Sequence, residues 1–462
     1  MNDLLTQIEN IVGPEGVLHG DDARARSGDW LGRTPCLAKA IVRPENTDET
    51  AAIVKLCNEH AQPIVPAGGL TGLARGAVAN ETEIMLSFER MKAIEEVDPV
   101  GRTMTVQTGA PLQAVQEAAG DYNMMFPIDL GARGSATIGG NIATNAGGNQ
   151  VIRYGMMRNQ VLGLEVVLAD GAVLSSMNKV LKNNSGYDLK HIFIGSEGTL
   201  GLVTRAVLRL SPQPKSENTA LLAIDDFSKL TTFFEFVGER FADTLNAFEV
   251  MWKEHYQIVA VASGRHQAPM EAGHAFYVVV ETTGVDERHD SEHFTTVLSE
   301  AIEAGLVADA VIASSKAQRG MIWAIREDIE ALAAVLLPGA VFDVSLPISA
   351  MDAYTRTITR EIAAAWPDNN RVVIFGHLGD GNLHIGATAS PWTVDVHNRI
   401  ENIVYGPLAA VGGAISAEHG VGLEKRNFLN ISRTEEEIAL MRMLKGALDP
   451  KNLFNPGKVL AI

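Results

Sequence analysis

Cysteine is nearly absent from the 462-residue chain: only Cys36 and Cys57 occur. Two thiols exclude a disulfide framework and a chain-borne iron–sulfur cluster with its usual four thiolates. Positive charge is also short. Against 56 acidic residues stand 38 Lys and Arg, a formal net charge of −18. That balance argues against a nucleic-acid or anionic-membrane surface and leaves room only for a local basic pocket. Long apolar runs are missing too, since the longest, around residues 331 to 342, is interrupted by Pro338 and too short to span a bilayer. The start Met1-Asn2-Asp3-Leu4 lacks the positive region of a signal peptide, so a cytoplasmic protein is the default expectation. What remains is an ordinary globular composition, 46% hydrophobic and 20% charged, in a chain long enough for two or three domains. No internal repeat or low-complexity segment breaks it.

The stretch 375 to 386 reads FGHLGDGNLHIG and carries His377 and His384 on either side of Gly379-Asp380-Gly381. The glycines argue against a helix, and in one unbroken strand an odd spacing would put the rings on opposite faces. The chain is therefore expected to turn back at the glycines, so that Val372 to Phe375 faces Leu383 to Ile385 and the imidazoles converge. Converging neutral imidazoles suit a divalent transition metal. Downstream, Ser416-Ala417-Glu418-His419-Gly420-Val421-Gly422 offers Glu418 as a third ligand. Two histidines and a carboxylate with positions left open are the catalytic pattern for zinc, and equally suit manganese, iron or cobalt. His419 is then left as a base.

Taken in order, Leu4, Leu5, Ile8 and Ile11 predict a helical lead-in over residues 1 to 34. A strand at Leu37 to Val42 precedes a helix capped by Asn46 and Glu49, with Ile53, Val54 and Cys57 inward. The strand Gln62 to Val65 enters PAGGLTGLARGA, residues 66 to 77, whose successive unhindered amides make an anion cradle. It lacks the Gly-Lys-Ser/Thr ending of a nucleoside-triphosphate loop, and its fit to a Gly-x-Gly-x-x-Gly dinucleotide fingerprint is weak. Residues 127 to 155 form a second small-residue stretch, where backbone can approach a flat ligand. Strands follow at Val161 to Leu168, from Ala172, and at Ala206 to Leu210, with the segments Lys182 to Asp188 and GSEGTLGLVT between them, before the break Ser211-Pro212-Gln213-Pro214. Beyond it, strands such as Ala220 to Ile224, Phe276 to Val280 and Val372 to Ile374 alternate with helices Phe227 to Arg240, Ser291 to Ala304 and Ala317 to Val335. That is an α+β domain with an antiparallel sheet. A helix at Thr434 to Leu448 closes the pattern.

Four of these motifs in this order, PAGGLTGLARGA, TIGGNIATNAGG, GSEGTLGLVT, and GHLGDGNLH followed by AEHGVG, resemble the flavoprotein family that includes vanillyl-alcohol oxidase. The likeness is to its branch of D-lactate dehydrogenase, D-2-hydroxyglutarate dehydrogenase and the glycolate oxidase D subunit. It runs from about residue 35 to the end. The resemblance implies an FAD-binding domain over 35–212, a substrate (cap) domain over 213–415, and a C-terminal segment, 416–462, that returns to the flavin. It implies that Gly68, Gly69, Thr71 and Gly72 hold the pyrophosphate, with Pro66 and Leu73 beside them. Ser135, Gly139, Asn141, Asn145, Gly147 and Gly148 would line the cofactor, together with Pro127, Asp129, Gly134, Ile138 and Thr144. Glu197, Gly198 and Val203 would lie near its far end, with Asn455. Neither Gly-rich segment carries a histidine, so the FAD is expected to be non-covalent.

The resemblance also makes His377, His384 and Glu418 the ligands of a divalent metal, zinc by first expectation, and His419 the catalytic base. Metal on the substrate α-hydroxyl would lower its pKa, as a metal lowers that of bound water to near neutrality; the α-hydrogen would leave as hydride to the flavin. Arg326 matches the arginine that binds the substrate carboxylate; read from the residues alone it could instead pair with Glu330 at i+4. Three positions depart from the hydroxyglutarate enzymes, which carry threonine, lysine and asparagine where this chain has Glu330, Val341 and Gly386. An anionic Glu330 and an apolar Val341 do not pair with a second carboxylate. The expected activity is therefore oxidation of a D-2-hydroxy acid, lactate-like or larger and apolar, rather than 2-hydroxyglutarate. Electrons would pass to an external acceptor such as a quinone, an electron-transferring flavoprotein or a cytochrome. Alternatives are an oxygen-using FAD oxidase and a flavin-binding subunit of a glycolate-oxidase-like complex. A homodimer is the expected assembly.

Overall fold

The computed structural model describes residues 2–26, 30 and 35–461, and the chain divides into two compact units. The first takes residues 1–148, 155–213 and 418–462. One of its sheets has four strands in the order β1 (Val17–His19), β2 (Ala40–Val42), β4 (Ile84–Ser87), β3 (Ile64–Ala67), with β2, β4 and β3 parallel and β1 antiparallel to β2. The lead-in is thus only partly helical: helix Asn2–Val12 is followed by a strand that joins the sheet. Residues 27–29 and 31–34 of that expected lead-in lie outside the described residues. The Asn46 side chain accepts from the Glu49 amide at 2.9 Å, which starts the helix Thr47–Glu59 and turns Ile53, Val54 and Cys57 inward. They pack with Ile64, Ile84, Leu86, Leu453 and Phe454. The residues after Phe454 and before it cover the free side of β3, with Ile64 N–H donating to Leu453 O and Asn455 N–H to Ile64 O, both at 2.8 Å.

The second sheet of this unit is antiparallel throughout, in the order β5 (Ile94–Asp98), β6 (Thr103–Gln107), β10 (Leu202–Arg209), β8 (Val161–Val167), β9 (Val173–Ser176). Two short strands, β7 (Met124–Met125) and β11 (Ser211–Pro212), pair with each other where the chain leaves the unit.

The second unit takes residues 149–154 and 214–417. Its one large sheet is antiparallel, ordered β15 (Asp309–Ile312), β12 (Ser216–Ile224), β14 (Phe276–Gly284), β13 (Leu245–Trp252), β17 (Asn370–Gly376), β18 (Asn382–Ala389), β16 (Ala340–Ser345). The turn expected at Gly379-Asp380-Gly381 is there, a single 3-10 turn joining β17 to β18. The expected helix from Ala317 to Val335 is two helices, Lys316–Glu327 and Ile329–Leu336. Asp328 divides them: its backbone leaves the helical region (φ −76°, ψ 76°), and its side chain accepts from the Ala331 amide at 3.0 Å to cap the second helix. These helices lay Ile322, Ile325, Leu332 and Leu336 on the sheet face that carries Met251, Tyr277, Val373 and Phe375. Among the described residues no helix is long and apolar enough to cross a membrane.

Candidate active site

In the first unit, the expected cofactor residues meet through backbone contacts that only small residues allow. A Cβ on Gly69 would fall 1.8 Å from the Ser135 carbonyl oxygen, and one on Gly68 would fall 2.4 Å from Thr137 Oγ1. Around Gly72 a Cβ would meet nothing within 4 Å, so the loop after β3 opens there. Thr137 Oγ1 accepts from Gly140 N–H, and Gly139 N–H donates to Thr108 O at 2.7 Å, which seats the helix Ile138–Thr144 beside that loop. Ile138 itself faces the core, leaving only its backbone to a ligand. Gly148 lies against the Asp129 carbonyl, and Gly198 (φ +67°) against Pro66.

Glu197 reaches the C-terminal segment. Its carboxylate accepts from the Val421 and Gly422 amides at 2.6 and 2.8 Å, so it fastens the segment that carries His419. Burial pushes its pKa up, against the pull of those two amides and Lys425. In the same unit Glu418 Oε2 accepts from Gly148 N–H at 3.0 Å. Asn455 ties these pieces together, donating through Nδ2 to Gly76 O at 3.0 Å and Glu197 O at 2.8 Å. Asn141 Nδ2 and Asn455 Oδ1 are buried without a hydrogen-bond partner. A glycine-lined cradle with buried polar atoms unspent fits a flat, polar, phosphate-bearing cofactor such as FAD.

In the second unit, strand register builds a polar row on one sheet face. Met251 stands opposite Phe375, Phe375 opposite His384, and His384 opposite Asp343. Alternation then puts Glu249 on that face, at the level of His377. The two imidazoles converge as expected, with ring centres 5.2 Å apart, and both are buried. Glu249 Oε1 lies 2.6 Å from His377 Nδ1. Burial works to raise the Glu249 carboxyl, but His377 and Arg326 outweigh it and hold its pKa below the ordinary value. An ionised carboxylate on Nδ1 fixes the tautomer whose Nε2 carries the lone pair, which is the arrangement behind many metal-bound histidines. Asp343, wholly buried, stands 3.9 Å from His384 Nδ1 and accepts from Asn382 Nδ2 at 2.9 Å and the Ala417 amide at 3.0 Å. The donor set fits a divalent transition metal.

Arg326 is buried, not a surface residue, and its partner is Glu249 rather than Glu330. Nε–H donates to Glu249 Oε2 at 3.0 Å, and Nη2 lies 2.7 Å from the same oxygen without an aligned hydrogen bond. The helix break at Asp328 separates the i+4 pair: Glu330 is 82% exposed and meets Arg265 at 2.8 Å. Val341, opposite Gly386 across the sheet, is exposed. Gly386 is covered, since a Cβ there would meet Leu336 Cδ1 at 2.4 Å. Sequence reasoning missed Glu249, Leu336 and the role of Asp343. A lone acid inside an apolar strand, as in Phe248-Glu249-Val250 and Phe342-Asp343-Val344, was the available signal, because such a charge is buried only with a partner.

A model of the FAD binding domain matches residues 38–176, and one of the C-terminal domain of FAD linked oxidases matches residues 213–459. D-2-hydroxyglutarate dehydrogenase of Xanthomonas citri pv. viticola is 43% identical over 436 residues, covering 93% of this chain and 91% of that protein. The mitochondrial D-2-hydroxyglutarate dehydrogenase of Bos taurus is 37% identical over 461 residues, covering 99% and 83%. In fold, the chain is similar to p-cresol methylhydroxylase with substrate bound, at a TM-score of 0.79 and 16% identity over 100% of this chain and 96% of that one. Fold and cradle together define a flavoprotein of the vanillyl-alcohol-oxidase type. Within that class the chain belongs to the FAD-linked oxidases, in the family of the D-2-hydroxyglutarate dehydrogenases, and is an FAD-dependent oxidoreductase acting on CH–OH groups.

Proposed function

We propose that the protein oxidises a D-2-hydroxy acid with a single carboxylate and an apolar remainder to the 2-oxo acid. Arg326 carries this reading: a buried guanidinium beside the two histidines, with Nη2 donors not spent on any aligned hydrogen bond, is built to receive an anion. His377, His384 and Glu418 would hold the divalent metal. Continuity of the chain supports Glu418, because Ala417, the residue before it, has its amide on Asp343. Bound there, the metal supplies Lewis acidity, and FAD in the cradle supplies the two-electron acceptor. Arg326 clamps the carboxylate, and His419 takes the hydroxyl proton on a ring nitrogen. Turnover would call for an external electron acceptor.

For the substrate side chain, Leu336 over Gly386 and the apolar Val341 opposite it favour an uncharged group. A second reading, 2-hydroxyglutarate itself, has the names of the relatives in its favour. Anaerobic bleaching of the flavin by D- and L-2-hydroxy acids, before and after chelation, decides between them. Bleaching by a monocarboxylic D-acid, lost on chelation, supports the proposal. Bleaching best by 2-hydroxyglutarate overturns the side-chain assignment, and bleaching that survives chelation overturns the metal.

A further inference from the structure

One buried spot in the second unit holds three nitrogen atoms with no aligned hydrogen bond: Nη2 of Arg326 and both ring nitrogens of His255. His255 is fully buried. Its ring centre lies 4.9 Å from that of Phe375, whose ring also lies 4.7 Å from Arg326 Cζ and 5.1 Å from the His384 ring. Phe375 therefore has the proposed carboxylate clamp, a proposed metal ligand and this histidine around it. Stranding a buried polar group costs free energy, and folded proteins leave few of them. The segment is also unusual in its backbone, since the helical turn Lys253–Tyr256 that presents His255 continues as a π-helix, Gln257–Ala262, a form that recurs at functional sites.

We propose that His255 is a second substrate-contacting residue, its ring N–H and Arg326 Nη2 receiving the two oxygens of one carboxylate. The pairing has a chemical logic. Burial, with the Arg326 charge adding to it, holds the His255 pKa well below the ordinary histidine value, so the ring is neutral and offers one N–H and one lone pair. Arg326 already has the Glu249 carboxylate against it, Oε2 accepting from Nε–H at 3.0 Å and lying 2.7 Å from Nη2. A neutral donor beside it completes the substrate carboxylate's hydrogen bonds without adding a second buried positive charge. The inference rests on the reading of Arg326 as the carboxylate clamp.

The test uses the FAD- and metal-loaded enzyme with His255→Leu, His255→Gln and, as the control for the underlying reading, Arg326→Gln. Four quantities are read: KM and kcat for the acid that best bleaches the flavin, the Kd of oxalate from the flavin absorbance, and Tm. Loss of one N–H to a charged group corresponds to roughly 10- to 100-fold in affinity. His255→Leu is expected to raise KM and the oxalate Kd by that factor with kcat within about twofold. Its Tm should hold or rise, because it removes stranded polar atoms from the core. His255→Gln, which keeps a donor, should recover part of the loss. An unchanged KM and Kd in His255→Leu overturns the proposal, and so does a loss of affinity that only follows a fall in Tm in both variants. If Arg326→Gln leaves both constants unchanged, the clamp reading itself fails. If Arg326→Gln raises them and His255→Leu does not, only the His255 proposal fails.

Discussion

The Glu249 carboxylate stands 2.6 Å from Nδ1 of His377, across two neighbouring strands and 128 residues of chain. Its other oxygen holds Arg326. One acid thus orients a proposed metal ligand and the proposed substrate clamp. Glu249→Gln keeps the shape and loses the charge. Outer-sphere partners of ligating histidines are worth about 10- to 100-fold in metal affinity, and a loss of that size is expected in competition with a chelator. The KM for the hydroxy acid should rise alongside it. Unchanged metal retention would show that His377 needs no carboxylate behind it.

Glu197 gives a prediction of the opposite kind, in which the cofactor-bearing unit is tested without reference to turnover. Glu197→Ala strands the Val421 and Gly422 amides, at a cost of about 1–3 kcal/mol for a buried unsatisfied group. Urea unfolding should show the loss, and limited proteolysis should find a new cleavage near residues 418 to 422.

The Leu336–Gly386 contact sets the expected specificity. Gly386→Asn alone overpacks against Leu336 and should cost about 1–3 kcal/mol. Combined with Leu336→Ala, which makes room, and Val341→Lys, it should move the ratio of kcat/KM values from monocarboxylic acids toward 2-hydroxyglutarate. Steady-state rates on both substrates measure the shift; a ratio that stays put removes this wall from the specificity argument.

Asp328 ties stability to pH. Burial pushes its carboxyl up, but the Ala331 amide, His266 and Arg265 outweigh burial and leave the pKa lowered. The folded value lies below the unfolded one, near ~3.9. As pH falls the unfolded chain therefore takes the proton first, so the stabilisation is present above that range and fades as pH drops through the folded value. Asp328→Ala removes the cap and both partners, for about 1–2 kcal/mol at neutral pH by loss of the cap alone. Urea midpoints of wild type and variant should draw together on acidification.

Local pattern made much of the fold readable. The caps at Asn46 and Thr434 appear as their sequences require, and the glycine-centred turn between β17 and β18 brings His377 to His384. What stayed hidden depends on partners distant in the chain. Arg326 leaves an i+4 pair with Glu330 open as its lesser reading until Asp328, held by Arg265 and His266, breaks the helix. Glu197 reads as a cofactor residue, and its hold on the amides of residues 421 and 422, more than two hundred positions away, is not legible in the sequence. Gly386 looks like simple loss of an asparagine until Leu336, from a helix fifty residues earlier, is found covering it.

The backbone bonds between Ile64 and residues 453 and 455 also bear on how the chain is made. On the ribosome, β3 emerges early, yet among the described residues its second side is covered by residues synthesised nearly 390 positions later. Through almost all of translation the parallel sheet exposes an open edge, the kind of surface that recruits other strands. Production of the protein should for that reason depend on holding chaperones during synthesis far more than the finished molecule does.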